Sequence, residues 1–241
     1  MSSSSIVAGV AAPEPLSTHR LARLAGLLYV ATLPTAGFGI MGAHGLLDGG
    51  VATAAARIAE SQTALQVGVL LGAIGAIIWL ALGVVFYALF RSTSERVSQL
   101  LLVCVVASAT LLLAALAGRL DAIALVQDSK ILTASSPEHL QALVVLAWRS
   151  SENLMRASIV FWGLWLLPLG WLAIRSRLVP RTLGILLMLG APYYLAFYVG
   201  LVFQPGYEKT LLAQVLGFVF LLPGSIGELG AGLWLLVKGK P

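Results

Sequence analysis

The chain has 241 residues, of which 59% are hydrophobic and only 10% charged, with a formal net charge of +5. A soluble domain carries about 25% charged residues, so most of this surface must face something apolar. The basic residues sit in short clusters at the ends of apolar runs, as anionic lipid and insertion topology require, which argues against nucleic-acid binding.

Residues 1–18, MSSSSIVAGVAAPEPLST, lack the basic start and long apolar centre of a signal peptide. They read as a disordered cytoplasmic tail, leaving 19–241 as one transmembrane domain. A spanning helix needs about 20 mostly apolar residues. The segments that meet this test are Leu24–Ala43, Ala64–Phe90, Val97–Ala117, Arg156–Ile174, Thr182–Phe203 and Leu211–Val237. The predicted fold is therefore all-α and polytopic, with six transmembrane helices.

Between the first two spans, Val51–Gln62 reads as a short helix lying on the outer surface. Ser135-Ser136-Pro137-Glu138 reads as a helix start, with a cap, an early proline and an acid, so His139–Ser158 should run into span four. The links Arg91–Arg96 and Arg175–Arg181 are tight, which makes spans two and three, and four and five, antiparallel neighbours. Arg20, Arg23, Arg91, Arg96, Arg175, Arg177, Arg181, Lys238 and Lys240 fall on one side of the bilayer. Only Arg57, Lys130 and Lys209 fall on the other, so both termini are expected in the cytoplasm. Arg23 and Gly26 precede Pro34 with the spacing by which Arg181 and Gly184 precede Pro192, a faint echo between helices one and five.

Three stretches carry a family resemblance. They are Arg23-Leu-Ala-Gly26-Leu-Leu-Tyr29, then Leu169-Gly170-Trp171-Leu172 with Ser176 and Pro180-Arg181-Thr-Leu-Gly184, and finally Gly227-Glu228-Leu229 through Trp234-Leu-Leu-Val-Lys238-Gly239. Over about residues 19–239 the chain resembles the bacterial membrane family catalogued as domain of unknown function 4386. The resemblance implies a multi-helix protein of the bacterial cytoplasmic membrane with no established activity. It also implies an arginine in span three followed three residues on by an acid or amide; here Arg119 is present, Ala122 stands three on, and the acid is Asp121.

Charges inside a bilayer are costly, so each is a candidate for function. Counting from the cytoplasmic ends at about 1.5 Å per residue, Arg119 and Arg156 lie roughly 28–33 Å up, and Glu228 roughly 14 Å up. This separates two sets. The outer set is Arg119, Asp121, Arg149, Glu152, Asn153 and Arg156. Arg149, Glu152 and Arg156 share a helical face that continues through Gly163 and Gly170, so it is expected to point into the bundle, as an anion-recognition pocket or as a salt-bridge network. The inner set centres on Glu228, close to mid-membrane, with Tyr193, Tyr194, Ser225 and Trp162 or Trp79 as available partners. It reads as a site for proton-linked transport or acid–base chemistry, or as a clamp between helices five and six.

Cys104 is the only cysteine and reads as a small buried apolar residue. The three histidines, His19, His44 and His139, have no acids at metal spacing, and no cofactor or metal is expected. The expected partners are the bilayer and a small-molecule or lipid ligand. The leading reading is binding or translocation of such a ligand through an intramembrane cavity centred on Glu228. The alternatives are an intramembrane enzyme using Glu228 with Tyr193 or Tyr194, and a structural or regulatory membrane partner.

Overall fold

A computed structural model describes residues 17–36, 46–47, 50–127 and 136–238. The tail 1–16, the upper part of the first expected span, His44, Lys130 and Lys240 lie outside the described residues. Among those described, all regular structure is helical. In chain order there are α1 (Thr18–Ala36), α2 (Val51–Glu60), α3 (Gln62–Phe90), α4 (Glu95–Gln127), α5 (Pro137–Leu164), α6 (Leu166–Ser176) and α7 (Arg181–Phe203). A short 3₁₀ turn, Tyr207–Lys209, leads to α8 (Leu211–Leu216), a π-helical turn (Gly217–Leu221) and α9 (Leu222–Val237).

The runs Gln62–Phe90, Glu95–Gln127, Pro137–Ser176, Arg181–Phe203 and Leu211–Val237 are five helices long and apolar enough to cross a membrane. The described part of α1 is not among them, because it begins with His19, Arg20 and Arg23 and stops at Ala36. Two of the long helices are interrupted where proline removes an amide. Pro168 leaves the Leu164 carbonyl without its usual donor, and the α5–α6 break falls at Trp165. Pro223 does the same to Val219, which lies inside the π turn. Span three departs from expectation: α4 runs ten residues past Ala117, since the inward stripe Ala115, Leu116, Arg119, Ala122 and Ile123 continues at helical spacing.

The long helices close into a ring. α1 packs on α3, α3 on α4, α4 on α5, α5 on α7, α7 on α9, and α9 returns to α1. The tight links thus join antiparallel neighbours, as the sequence predicts. Glycines set the closest approaches. Gly26 meets the Leu236 backbone across the α1–α9 seam, and a Cβ on Gly224 would stand 2.6 Å from the Gly190 Cα across the α7–α9 seam. The echoed glycines do different work, because Gly184 meets the Gly170 carbonyl on α6 rather than α9.

One half of the ring is solid. Phe86, Phe90, Leu101, Trp165, Leu166, Leu172 and Leu235 fill it at the end that carries Arg23, Arg91, Arg175 and Arg181. There Arg175 lies 5.5 Å from the Trp171 ring and Lys238 4.7 Å from Trp234, whose indole donates to the Leu178 carbonyl at 3.1 Å. At the opposite end α2 lies across α3, α4 and α5. It buries Ala54, Ala55 and Ile58 and turns Arg57 and Glu60 outward, which is the amphipathic short helix expected there.

Candidate functional site

Above the solid half, the ring surrounds a half-open cavity of about 260 Å³ to which every long helix contributes. From α1 come Tyr29, Thr32 and Thr35; from α3, Gly72, Gly75 and Trp79; from α4, Ser108 and Leu112. Trp162 and Trp165 arrive from α5 and its break, Tyr194 from α7, and Ser225, Glu228 and Leu229 from α9. Glu228, Tyr29, Trp79 and Trp165 lie 9 to 11 residues from their helix ends on the basic side, roughly 14–17 Å along the axis. The sequence positions alone therefore bring these groups to one level near the middle of the bundle.

Glu228 is the only charged side chain in the cavity wall among the described residues. The Tyr29 hydroxyl donates to Glu228 Oε1 at 3.1 Å, so the bridge joins α1 to α9. The expected clamp between helices five and six is corrected accordingly. Tyr29 itself is buried, held edge-on by Trp165 at 5.6 Å and Phe86 at 6.1 Å. Trp79 packs against Trp165 at 4.4 Å and donates its indole N–H to Ser108 Oγ at 2.9 Å. The α1 threonines return their hydroxyls to their own helix, Thr32 to the Tyr29 carbonyl at 2.6 Å and Thr35 to Thr32 at 2.9 Å. Satisfied in this way, they add little free polarity to the wall.

Of the expected inner residues, Glu228, Tyr194 and Ser225 line the cavity, together with both Trp79 and Trp162. Tyr193 does not: its ring stacks on Phe197 at 5.4 Å, on the far side of Tyr194. A pairing of Glu228 with Tyr193 for proton transfer is therefore not assembled. Tyr29, Ser108 and Trp165 were not among the expected site residues. Tyr29 stands in the Arg23–Tyr29 stretch, and the depth count applied to Glu228 would have placed it opposite that acid.

The outer set is only partly brought together. Arg119 is buried, with its guanidinium carbon 5.3 Å from the centre of the Trp148 ring, and Glu152 acts on it electrostatically. Asp121, Arg149 and Asn153 are exposed, whereas Glu152 and Arg156 are half-buried. The expectation that the Arg149–Glu152–Arg156 face points inward is thus corrected. The inward face of upper α5 is Val144, Trp148, Ser151 and Met155, which pack on α4, and the charges turn to its flank. Among the described residues no group of three or more His, Cys, Asp or Glu side chains is placed to hold a metal ion.

Replacing Tyr29 with Phe removes the one described hydrogen bond to Glu228 while keeping the ring packing. The expected cost is about 1–2 kcal/mol, read as lower thermal stability of the detergent-solubilised protein. Glu228→Gln should cost less, since the amide oxygen still accepts from Tyr29.

No curated protein and no solved structure matches the chain. A family model does, the domain of unknown function DUF4386, over residues 24–239. That match runs from within α1 through α9 and takes in every residue of the cavity wall, and the chain belongs to this family.

Proposed function

We propose that this is a membrane protein of the bacterial cytoplasmic membrane that crosses the bilayer six times, with both termini inside, and binds or moves a small molecule or lipid through the central cavity. The single observation that carries the ligand reading is the cavity itself, a mid-depth space of about 260 Å³ with aromatic walls and one carboxyl group. Scaffolding requires no such space, because close packing is the stable condition of a helix bundle. Convergent polar groups in an otherwise apolar concavity are the usual form of a small-molecule site. Glu228, Tyr29, Tyr194 and Ser225 are its polar groups. The exposed outer residues Asp121, Arg149 and Asn153 stand at the boundary of the bilayer, beside the half-buried Glu152 and Arg156 and the buried Arg119. The basic residues gathered at one end of the ring support the inward placement of both termini.

The test is thermal unfolding of the purified protein in an uncharged detergent against a panel of neutral, cationic and anionic amphiphiles. At least one class should raise the unfolding temperature of the parent. Ser225→Leu narrows the cavity and should weaken or abolish that rise while leaving the unliganded protein folded. A parent that responds to no compound, or a Ser225→Leu variant that responds as the parent does, overturns the proposal.

A further inference from the structure

The geometry points to an organic cation with an apolar body, a protonated amine or quaternary ammonium, as the class of ligand this cavity accepts. The inference rests on the cavity reading above and narrows it. Three indoles, Trp79, Trp162 and Trp165, and two phenols, Tyr29 and Tyr194, stand around a single acid. Aromatic faces are the electronegative surfaces of an apolar site, and a cage of them is the general device for holding an ammonium group away from water. A carboxylate at the same level supplies the counter-charge.

The rest of the wall excludes the other charge classes. No Lys, Arg or His lines the cavity among the described residues, so an anionic headgroup would meet Glu228 with nothing to offset the repulsion. The nearest guanidinium in depth, that of Arg23, is exposed on α1 six residues below Tyr29 and does not line the cavity, while Arg119, well above, is engaged with Trp148. Within the cavity the Tyr29 hydroxyl bonds only one described oxygen of Glu228, Oε1. A bound cation would therefore be the neutralising partner that the described residues do not place in the cavity wall. The apolar body follows from the way in. Leu33 on α1 and Leu229 on α9 both line the cavity and are 47% and 44% exposed, so the cavity is not sealed at these apolar side chains. A ligand entering past them meets an apolar rim, which an apolar body suits.

The experiment uses benzyltrimethylammonium and its uncharged isostere 2,2-dimethylpropylbenzene, which differ only in nitrogen for carbon. Binding to the full chain in a maltoside detergent is followed by tryptophan fluorescence and thermal shift. The cation should bind more tightly than the isostere. Glu228→Gln, which keeps the Tyr29 hydrogen bond, should weaken the cation roughly 30-fold or more and leave the isostere unchanged. Trp79→Leu, which keeps the acid, should weaken the cation about fivefold, and serves if the Gln variant does not fold. Equal binding of the two probes, or a cation preference that survives Glu228→Gln, overturns the cation inference while the cavity reading stands. Binding of neither probe to the parent counts against both.

Discussion

Gly224→Val is expected to destabilise the folded protein by about 3 kcal/mol, among the largest effects of any single change in the bundle. Where α9 crosses α7, a Cβ at Gly224 would lie 2.6 Å from the Gly190 Cα and 3.2 Å from its nitrogen. Both are backbone atoms, which cannot rotate aside as the end of a side chain can. The helices would have to separate by roughly 1 Å to reach ordinary contact, loosening the neighbouring Gly227 against Leu186 and Leu187 as well. In a bilayer this loss is not offset by hydrophobic burial elsewhere, because lipid tails are as apolar as the helix surfaces. Gly217→Ala is the matched control: its Cβ would meet only the Tyr193 ring, at 3.5 Å, an ordinary contact. It should leave stability unchanged or slightly raised, given the better helix propensity of alanine. Thermal unfolding of both variants beside the parent checks the pair. Equal loss in the two would mean that the α7–α9 approach is not what holds the ring.

Trp165→Ala should cost a similar amount, about 3 kcal/mol, for the opposite reason. Trp165 is 1% exposed and touches Trp79 and Tyr29 of the cavity wall and Phe86 of the solid half beneath it. Removing it deletes their shared contact surface and opens the cavity downward into the solid half. The transfer component of the usual large-to-small penalty is reduced in a membrane, which places the expected value at the low end of the range for buried aromatics. Trp165→Phe keeps part of the contact and should recover more than half of the loss. Unfolding temperature reports the stability, and tryptophan fluorescence of the variant reports the altered wall. An unperturbed unfolding temperature for Trp165→Ala would show that these ring contacts contribute no packing energy.

Much of this architecture could be read from composition and spacing. Apolar run length gave the long helices, since the bilayer fixes how many apolar residues a span needs. The tight arginine-bearing links gave the antiparallel neighbours, and the alanines around Ile58 gave the short crossing helix. Glu228 stood out because a charge within an apolar run is expensive. The same rule erred at span three. Arg119 reads as the end of a span, yet α4 continues past it because Trp148 on another helix covers the guanidinium. It erred again on α5, where i, i+3 and i+4 spacing established that Arg149, Glu152 and Arg156 share a face but not which way that face turns.

Direction is what tertiary packing decides. Helical periodicity fixes which side chains are neighbours along one rod, and depth counting fixes which rods can meet at one level; both are local quantities carried by the sequence. Which rods become neighbours depends on where glycine seams let backbones approach, and that is a property of pairs of helices. The sequence by itself determined a set of helices long and apolar enough to cross a membrane, with an acid inside one of the apolar runs. Only the closed ring, with α1 beside α9, brought the Tyr29 hydroxyl to Glu228, moved Tyr193 away from it, and left a space between them.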